Sequence, residues 1–315
     1  MENFDIVLVG AGSAGCIVAN QIINSTNYKV LLIEAGPSDN NLTIQVPLGY
    51  GMTFYHKKMN WNFYSEIQKN LHNREIYYPR GKVLGGSGSI NAMIYARGLR
   101  SDFENWDLSK DWSWENIKTT YDQIEFAVNN KTKRLPSNKI PVNDISKQHH
   151  PILKNFFDAS NDFNFTFNKQ LKSSIENQVG NYNVNIFKGF RTSSSKVFLK
   201  PIKSHPNLTI FTKTEVLKLN YKNKKIVSLD IKHKNKIISV KPKIGTILSS
   251  GSIMTPYLLL KSGIGNASDL KELNLPVNLH SSHVGKNFQD HLGLDYLYKT
   301  FSATLNKDLG SWSGR

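Results

Sequence analysis

Two apolar runs flank a glycine-rich turn near the start of the chain, and no other feature constrains the fold as tightly. The run Asp5 to Val9 is apolar after its first residue, which is typical of a parallel strand buried on both faces. Glycines follow in G-x-G-x-x-G spacing at Gly10, Gly12 and Gly15, and the apolar stretch after them predicts a helix. A second apolar run covers Lys29 to Ile33. The pattern predicts a strand, a tight turn, a helix and a second strand.

This turn has the chemistry of a dinucleotide-binding loop. Gly10 permits the tight turn, Gly12 lets the backbone approach a pyrophosphate, and Gly15 allows the helix to pack closely on the strand. The helix begins around Ser13 and Ala14, whose free N–H groups can bind phosphate oxygens. We therefore predict that residues 10–15 hold the phosphates of a dinucleotide.

An acidic residue ends the second apolar run, about 20 residues beyond the glycines, where dinucleotide-binding folds place the ribose. The Glu34 carboxylate, followed by Ala35, can accept hydrogen bonds from a ribose diol, and it disfavours a cofactor with a 2′-phosphate. The alternative is a glycine turn in an unrelated α/β domain. The motif itself does not distinguish NAD from FAD.

A second glycine-rich segment, RGKVLGGSGSINAMIYARG, extends from Arg80 to Gly98. Its glycines can form a concave group of backbone N–H donors for phosphate or flavin oxygens, and a purely structural turn is the alternative. Two glycine loops in this order favour a flavin. The residues of this segment predicted to contact the cofactor are Arg80, Val83, Gly85, Gly86, Ser87, Asn91, Ala92 and Met93.

The chain resembles the glucose-methanol-choline (GMC) family of FAD-dependent oxidoreductases, most closely its choline dehydrogenase-like branch. The resemblance extends over nearly all 315 residues and is strongest at Arg80 to Gly98, Gly251 to Gly265 and Val284 to His291. It implies an α/β fold with a Rossmann-like FAD-binding domain. It also implies a second, mostly antiparallel-sheet substrate domain, which we expect to be incomplete in this sequence.

The resemblance assigns further cofactor contacts. It implies that residues 91–93 neighbour the reactive flavin ring, that backbone atoms of Val216 recognise adenine, and that Gly251 lies against the cofactor. The alternatives are a core role for Val216 and a packing turn at Gly251, with Thr255-Pro256 suited to a helix N-terminus. Some relatives attach FAD covalently through a His that precedes the Asn. Ile90 stands there in this chain, so we expect non-covalent FAD.

The implied reaction oxidises an alcohol to an aldehyde or ketone, with hydride transfer from the carbinol carbon to flavin N5. Oxygen or another acceptor, which the sequence does not identify, then reoxidises the flavin. The family's catalytic His lies in a C-terminal segment that would follow Arg315, so the catalytic residues are unknown. We expect part of a longer enzyme, a chain completed by a second polypeptide, or a non-catalytic FAD-binding fragment or remnant. Lyase or decarboxylase chemistry on the same scaffold is another alternative.

Charge and cysteine content add weaker constraints. The net charge is +16, but the lysines are spread along the chain, so we expect no specific nucleic-acid partner. Ten lysines between Lys213 and Lys243 alternate with apolar residues, which predicts the solvated face of an antiparallel sheet. Cys16 is the only cysteine, which excludes an internal disulfide. No apolar run is long enough to span a membrane, and we expect a cytoplasmic protein without a metal.

The order of these features predicts how the chain is organised. Residues 1–150 form the first part of the FAD-binding domain, with a helix at Trp114 to Val128 and a linker at Asn129 to His150. Residues 151–200 begin the substrate domain, residues 201–286 return to the FAD-binding domain, and residues 287–315 resume the substrate domain.

Overall fold

The structure is a computed structural model that describes residues 3–106, 109–148, 151–223, 225–291 and 293. The α-helices are α1 (Ser13–Ser25), α2 (Leu42–Gln45), α3 (Tyr50–Phe54), α4 (Arg100–Glu104), α5 (Trp114–Ile124), α6 (Leu153–Asn161), α7 (Gly251–Lys261) and α8 (Ala267–Glu272). Short 3₁₀ turns lie at Pro47–Gly49, Lys69–Leu71, Gly86–Ser89, Lys110–Trp112, Ser146–Gln148 and Lys200–Ile202, and a π-helical turn lies at Ser195–Leu199.

The strands are β1 (Ile6–Val9), β2 (Val30–Ile33), β3 (Phe63–Tyr64), β4 (Tyr77–Tyr78), β5 (Ile94–Tyr95), β6 (Glu125–Ala127), β7 (Ile140–Asp144), β8 (Thr166–Gln170), β9 (Gln178–Asn181), β10 (Asn183–Val184), β11 (Ile186–Phe187), β12 (Phe190–Arg191), β13 (Leu208–Phe211), β14 (Glu215–Lys222), β15 (Lys225–His233), β16 (Lys236–Val240), β17 (Gly245–Leu248), β18 (Ile264–Gly265) and β19 (Leu279–His280).

A four-stranded parallel sheet, in the order β13-β2-β1-β17, forms the centre of the fold. In register, Ile6 of β1 lies opposite Val30 of β2 on one side and Gly245 of β17 on the other. Every residue of β1 and β2 is buried, as expected for an apolar strand covered on both faces. The predicted strand, turn, helix and second strand are therefore confirmed.

Alternate residues of the central sheet pack against two different layers. Leu8 and Leu32 pack with α1 and the π-helical turn, whereas Val7 and Leu31 pack with the sheet β14-β15-β16 and with α7. Burying each such side chain contributes about 1.5–3 kcal/mol relative to leaving it in water. The central sheet thus holds its strand ends, and the loops that follow them, in a rigid frame.

The lysine-rich stretch forms the antiparallel sheet β14-β15-β16, as the alternation of lysines and apolar residues predicts. Leu229 and Ile231 of β15 are fully buried against the central sheet, while Lys225 and Lys232 are exposed. The lysines therefore lie on the solvated face of this sheet.

Two predicted elements around residue 130 are wrong. Helix α5 ends at Ile124 rather than at Val128, because the next residues form β6, which pairs with β7. Glu125 at this junction accepts hydrogen bonds from Tyr95 and Arg97. The predicted linker contains β7, with Pro141 within the strand, so it is not simply a loop. His149 and His150 lie outside the described residues.

The position predicted for Thr255-Pro256 is also wrong. Helix α7 begins at Gly251, and Pro256 lies inside the helix, beyond its first turn. Gly251, the first residue of the helix, has a φ of +82°, a left-handed conformation that glycine adopts without strain. Pro256 has no N–H, so it cannot donate to the carbonyl of Ser252 four residues earlier.

The fold class is confirmed as α/β, with one parallel sheet and several antiparallel ones. A mixed sheet, in the order β5-β10-β7-β6, connects segments that are far apart in the sequence. The proposed division into domains stays a prediction. Residues 292 and 294–315, which fall in the last predicted domain segment, lie outside the described residues.

Candidate cofactor-binding site

A cavity of about 670 Å³, here called the central cavity, lies at the carboxyl ends of β1, β2 and β17. Parallel α/β sheets bind ligands at this edge because several loops converge there. The structure brings together many of the predicted contact residues in its lining, although they come from distant segments. These residues are Gly10, Gly12, Ser13, Ala14, Glu34, Ala35, Arg80, Gly86, Ser87, Val216 and Gly251.

The first glycine loop presents the N-terminus of α1 to the central cavity. Gly12 is the N-cap, and no side chain caps the free N–H groups of the first turn. A Cβ built on Gly12 would lie 3.9 Å from its nearest neighbours, an ordinary van der Waals distance, so the protein leaves room for a small group there. A Cβ on Gly15 would lie 2.0 Å from the carbonyl oxygen of Gly10. Gly15 is therefore required for packing, while Gly12 leaves room for a ligand.

The Glu34 carboxylate is buried beside this loop and lines the central cavity. It accepts hydrogen bonds from the backbone N–H of Ala11 at 3.0 Å and of Gly36 at 2.9 Å. Burial raises the pKa of Glu34 to about 7, although these two bonds and the charge of Lys82 oppose the shift. A carboxylate has about four lone-pair sites, so a ribose hydroxyl can still donate to it.

The second glycine loop lies directly on the first. The N–H of Gly85 donates to the carbonyl of Ala11 at 2.7 Å. Gly85 and Gly86 have φ angles of +83° and +57°, which explains why glycine occupies both positions. A Cβ on Gly86 would lie 2.7 Å from the Cα of Gly12, so only a glycine lets the two loops approach this closely.

Several predicted contact residues do not line the central cavity. They are Gly15, Val83, Gly85, Asn91, Ala92 and Met93. Val83 packs in an apolar cluster with Ile90, which is itself only 3% exposed. The Asn91 Oδ1 accepts hydrogen bonds from the N–H of Met93 at 3.0 Å and from Nη1 of Arg191 at 2.7 Å. Whether residues 91–93 contact a cofactor stays a prediction.

Another wall combines the predicted contact residue Arg80 with aromatic side chains that the sequence did not assign to a site. Trp61 and Phe63 line the central cavity with their rings stacked, and the Nζ of Lys82 lies 4.3 Å from the Trp61 ring. Arg80 forms a 3.0 Å salt bridge with Asp290, which connects this wall to the third family-like segment. His291 is exposed, and its N–H donates to its neighbour Asp290.

Two serines after β17 were also missed by the sequence reasoning. Ser249 and Ser250 line the central cavity, and Ser249 Oγ donates to the carbonyl of Gly10 at 2.7 Å. They could have been found from their position directly after the apolar run Gly245–Leu248, since residues that follow parallel strands meet at one edge of a sheet. They tie the loop after β17 to the first glycine loop.

The arrangement of two glycine loops on one parallel sheet agrees with comparison to known proteins. The GMC oxidoreductase family model matches residues 4–293. The chain belongs to the GMC oxidoreductase family. Its membership confirms the relationship predicted from the second glycine loop and the later family-like segments.

Relatives within the GMC oxidoreductase family include enzymes named for alcohols. The chain is 35% identical over 307 residues to an alcohol dehydrogenase (acceptor) of Pseudomonas putida, covering 96% of this chain and 55% of that protein. It is 31% identical over 312 residues to an oxygen-dependent choline dehydrogenase of Photobacterium profundum, covering 98% of this chain and 55% of that protein. The chain thus spans about half the length of these curated relatives.

A solved structure supports the same fold. Pyridoxine 4-oxidase from Mesorbium loti superposes with a TM-score of 0.80 at 27% identity, covering 87% of this chain and 54% of that one. In the part of this GMC oxidoreductase that the structure describes, no group of three or more His, Cys, Asp or Glu residues could hold a metal ion. No helix among those residues is long and apolar enough to cross a membrane.

Proposed function

We propose that this chain supplies the FAD-binding part of an oxidoreductase that acts on the CH–OH group of an alcohol, including choline-like alcohols. The observation that carries the proposal is the contact between the two glycine loops above the central cavity. Gly86 approaches Gly12 too closely for any side chain, while Gly12 itself lines the central cavity and has room for a Cβ at ordinary van der Waals distance. Backbone N–H groups therefore converge where a pyrophosphate would lie.

The residues around the first loop fit the ADP half of FAD. The uncapped N-terminus of α1, with Gly12, Ser13 and Ala14, would bind the pyrophosphate. Glu34 would accept hydrogen bonds from the adenosine ribose, and the backbone at Val216, which lines the same cavity, would contact adenine. A volume of about 670 Å³ lies within the range of about 300–1,000 Å³ typical of ligand sites.

The second loop would hold the flavin half. Gly86 and Ser87 line the central cavity, and the loop continues from them through Ile90 to residues 91–93 beside the ring. Ile90 has no nucleophilic atom and is buried among Ile44, Met59 and Val83. FAD would therefore be bound without a covalent link. Acid precipitation should release all flavin, and yellow colour in the washed pellet would contradict this part of the proposal.

Bound FAD would supply an acceptor for the hydride that leaves the carbinol carbon. This chain would orient that acceptor through its backbone N–H groups and would shield it with the wall formed by Trp61 and Phe63. We propose that the base that removes the alcohol proton lies on polypeptide corresponding to the rest of the relatives' length. The electron acceptor stays unassigned.

The edge of the central sheet offers a place for such polypeptide. Among the described residues, β17 pairs with β1 on one side and has no strand on the other. The Oγ1 of Thr246 in β17 is buried and has no hydrogen-bond partner in the described part of the chain. Further polypeptide, continuous with this chain or supplied by a second one, would extend the sheet at this edge.

The proposal is tested by titrating the purified chain with FAD and then adding choline or a simple alcohol without oxygen. A bound-flavin absorption spectrum is expected. Bleaching of that spectrum would place all of the chemistry in this chain, whereas bound flavin that never bleaches would support the proposal that the base lies on further polypeptide. Failure to bind FAD would contradict the assignment of the central cavity.

A further inference from the structure

A second cavity, of about 520 Å³, lies between the segment after β2 and the segment around the π-helical turn. Four cationic side chains line it, and Asp39 is the only acidic residue in the lining. We call it the basic cavity. The cationic residues are Arg191, Lys196, Lys200 and Lys203.

Arg191 is the most constrained of these cations, since only 2% of its surface is exposed. Its Nε donates to the carbonyl of Ile44 at 2.8 Å and its Nη1 donates to Asn91 Oδ1 at 2.7 Å. Its Nη2 is buried and has no hydrogen-bond partner among the described residues. A buried charged donor without a partner destabilises the folded chain.

No carboxylate in the described part of the chain forms a salt bridge with Arg191. Burial alone lowers the pKa of Arg191 to about 10, and no anion counteracts this shift. Asp39 does not fill this role, because burial raises its pKa and its partners are the Ser195 hydroxyl and the charges of Lys203 and Lys200. The basic cavity therefore contains an uncompensated guanidinium.

We propose that the basic cavity is a binding site for a small anionic ligand that carries a phosphate or carboxylate group. Arg191 Nη2 would donate to an oxygen of this group, since guanidinium and oxyanion geometries match well. Lys200 and Lys203 would add charge from the cavity rim, where both are exposed, and the buried hydroxyl of Ser193 offers a further donor. The site is separate from the central cavity and does not depend on FAD binding.

The test is calorimetric titration of the full chain with inorganic phosphate and with citrate, at an ionic strength kept constant with NaCl. Saturable binding is expected for at least one of the two anions. The double variant Lys200→Met/Lys203→Met should weaken this binding about tenfold, since it removes two positive charges from the cavity rim. The control Lys225→Met/Lys236→Met removes the same charge from exposed positions on the lysine-rich sheet and should bind normally.

Two further variants separate this site from the others. Gly12→Ala should leave binding of these anions unchanged. If this variant no longer bound the anions, they would be assigned to the first glycine loop and the proposal would be overturned. Arg191→Met, if it folds, should abolish binding. The proposal would also be overturned if the wild-type chain shows no saturable binding, or if the control pair weakens binding as much as the cavity pair does. Each result is independent of whether the chain binds FAD.

Discussion

The two glycine loops use their glycines for different purposes. In the first loop Gly15 must be small because α1 packs on Gly10, whereas a Cβ on Gly12 would make only ordinary van der Waals contacts. In the second loop Gly85 and Gly86 have positive φ angles, and Gly86 must be small because it touches the first loop. Of these four glycines, only Gly12 both lines the central cavity and has room for a Cβ within the protein's own packing.

This difference shows that a glycine motif combines architecture and ligand binding, and that the structure separates the two. Substitutions at architectural glycines should damage the fold, while the substitution at Gly12 should damage binding alone. The same division applies to the side chains that brace each loop, namely Glu34 and Ser249 for the first and Asn91 for the second.

The largest effect is expected for Gly15→Ala. Its Cβ would lie 2.0 Å from the Gly10 carbonyl oxygen, so α1 would have to move away from the central sheet. The free energy of unfolding should fall by about 4 kcal/mol or more, which is at the extreme of single substitutions. Urea denaturation monitored by circular dichroism measures it. A change below about 1 kcal/mol would contradict the architectural role of Gly15.

The next effect concerns pH and Glu34. Burial raises the pKa of Glu34 from 4.5 to about 7. Between these two pH values the folded chain therefore keeps a proton on Glu34 that the unfolded chain loses. The free energy of unfolding should therefore fall as the pH rises from about 4.5 to about 7, by about 3 kcal/mol from this group alone, and then stay level. Below about pH 4.5 both states are protonated and the group adds no slope.

Glu34→Gln is the matched control, because it keeps the side-chain shape and cannot titrate. Urea midpoints measured across this pH range should give a steeper decline for the wild-type chain than for the variant. Parallel curves would show that the pKa of Glu34 is the same in the folded and unfolded chains, and they would contradict the predicted effect of its burial.

A smaller effect is expected in the second loop for Asn91→Ala. The change removes the acceptor for the N–H of Met93 and for Nη1 of the buried Arg191. A loss of about 2 kcal/mol in the free energy of unfolding is expected, since one of these bonds involves a charged group. Asn91→Asp keeps an acceptor and adds a negative charge next to Arg191, so it should be at least as stable as the wild-type chain.

The smallest effect is expected for Ser249→Ala, which removes the hydrogen bonds from Oγ to the carbonyls of Gly10 and Val9. The free energy of unfolding should fall by about 1 kcal/mol. Thermal melting of the two proteins side by side measures it. An unchanged melting temperature would mean that the first loop is held by its backbone alone.

The part of the fold that local sequence determines was predictable. The strands β1 and β2 and the helix α1 follow from apolar runs and a glycine turn, which act over fewer than 35 residues. The lysine-rich sheet follows from alternation along each strand. Contacts between distant segments were not predictable, because pairing of β6 with β7 ended α5 early and placed a strand in the predicted linker.

The candidate site shows the same limit. Gly10, Gly12 and Glu34 were found because their spacing is local, and Arg80, Gly86 and Ser87 were found through the second glycine segment. Trp61 and Phe63 were not assigned, since nothing nearby in the sequence shows that they face the cavity. Arg191 was not assigned to any site. Its burial and its unpartnered Nη2 depend on residues 44, 88 and 91, which are far from it in sequence.

The central claim is that FAD binds in the central cavity with its pyrophosphate at Gly12. The most direct measurement is a titration with FAD, followed by absorption and flavin fluorescence, of the wild-type chain and of Gly12→Ala. The account predicts that the variant unfolds at the same urea concentration as the wild-type chain, because its Cβ meets no atom closer than 3.9 Å, yet binds FAD at least about tenfold more weakly. Equal FAD affinity in two equally stable proteins would contradict it.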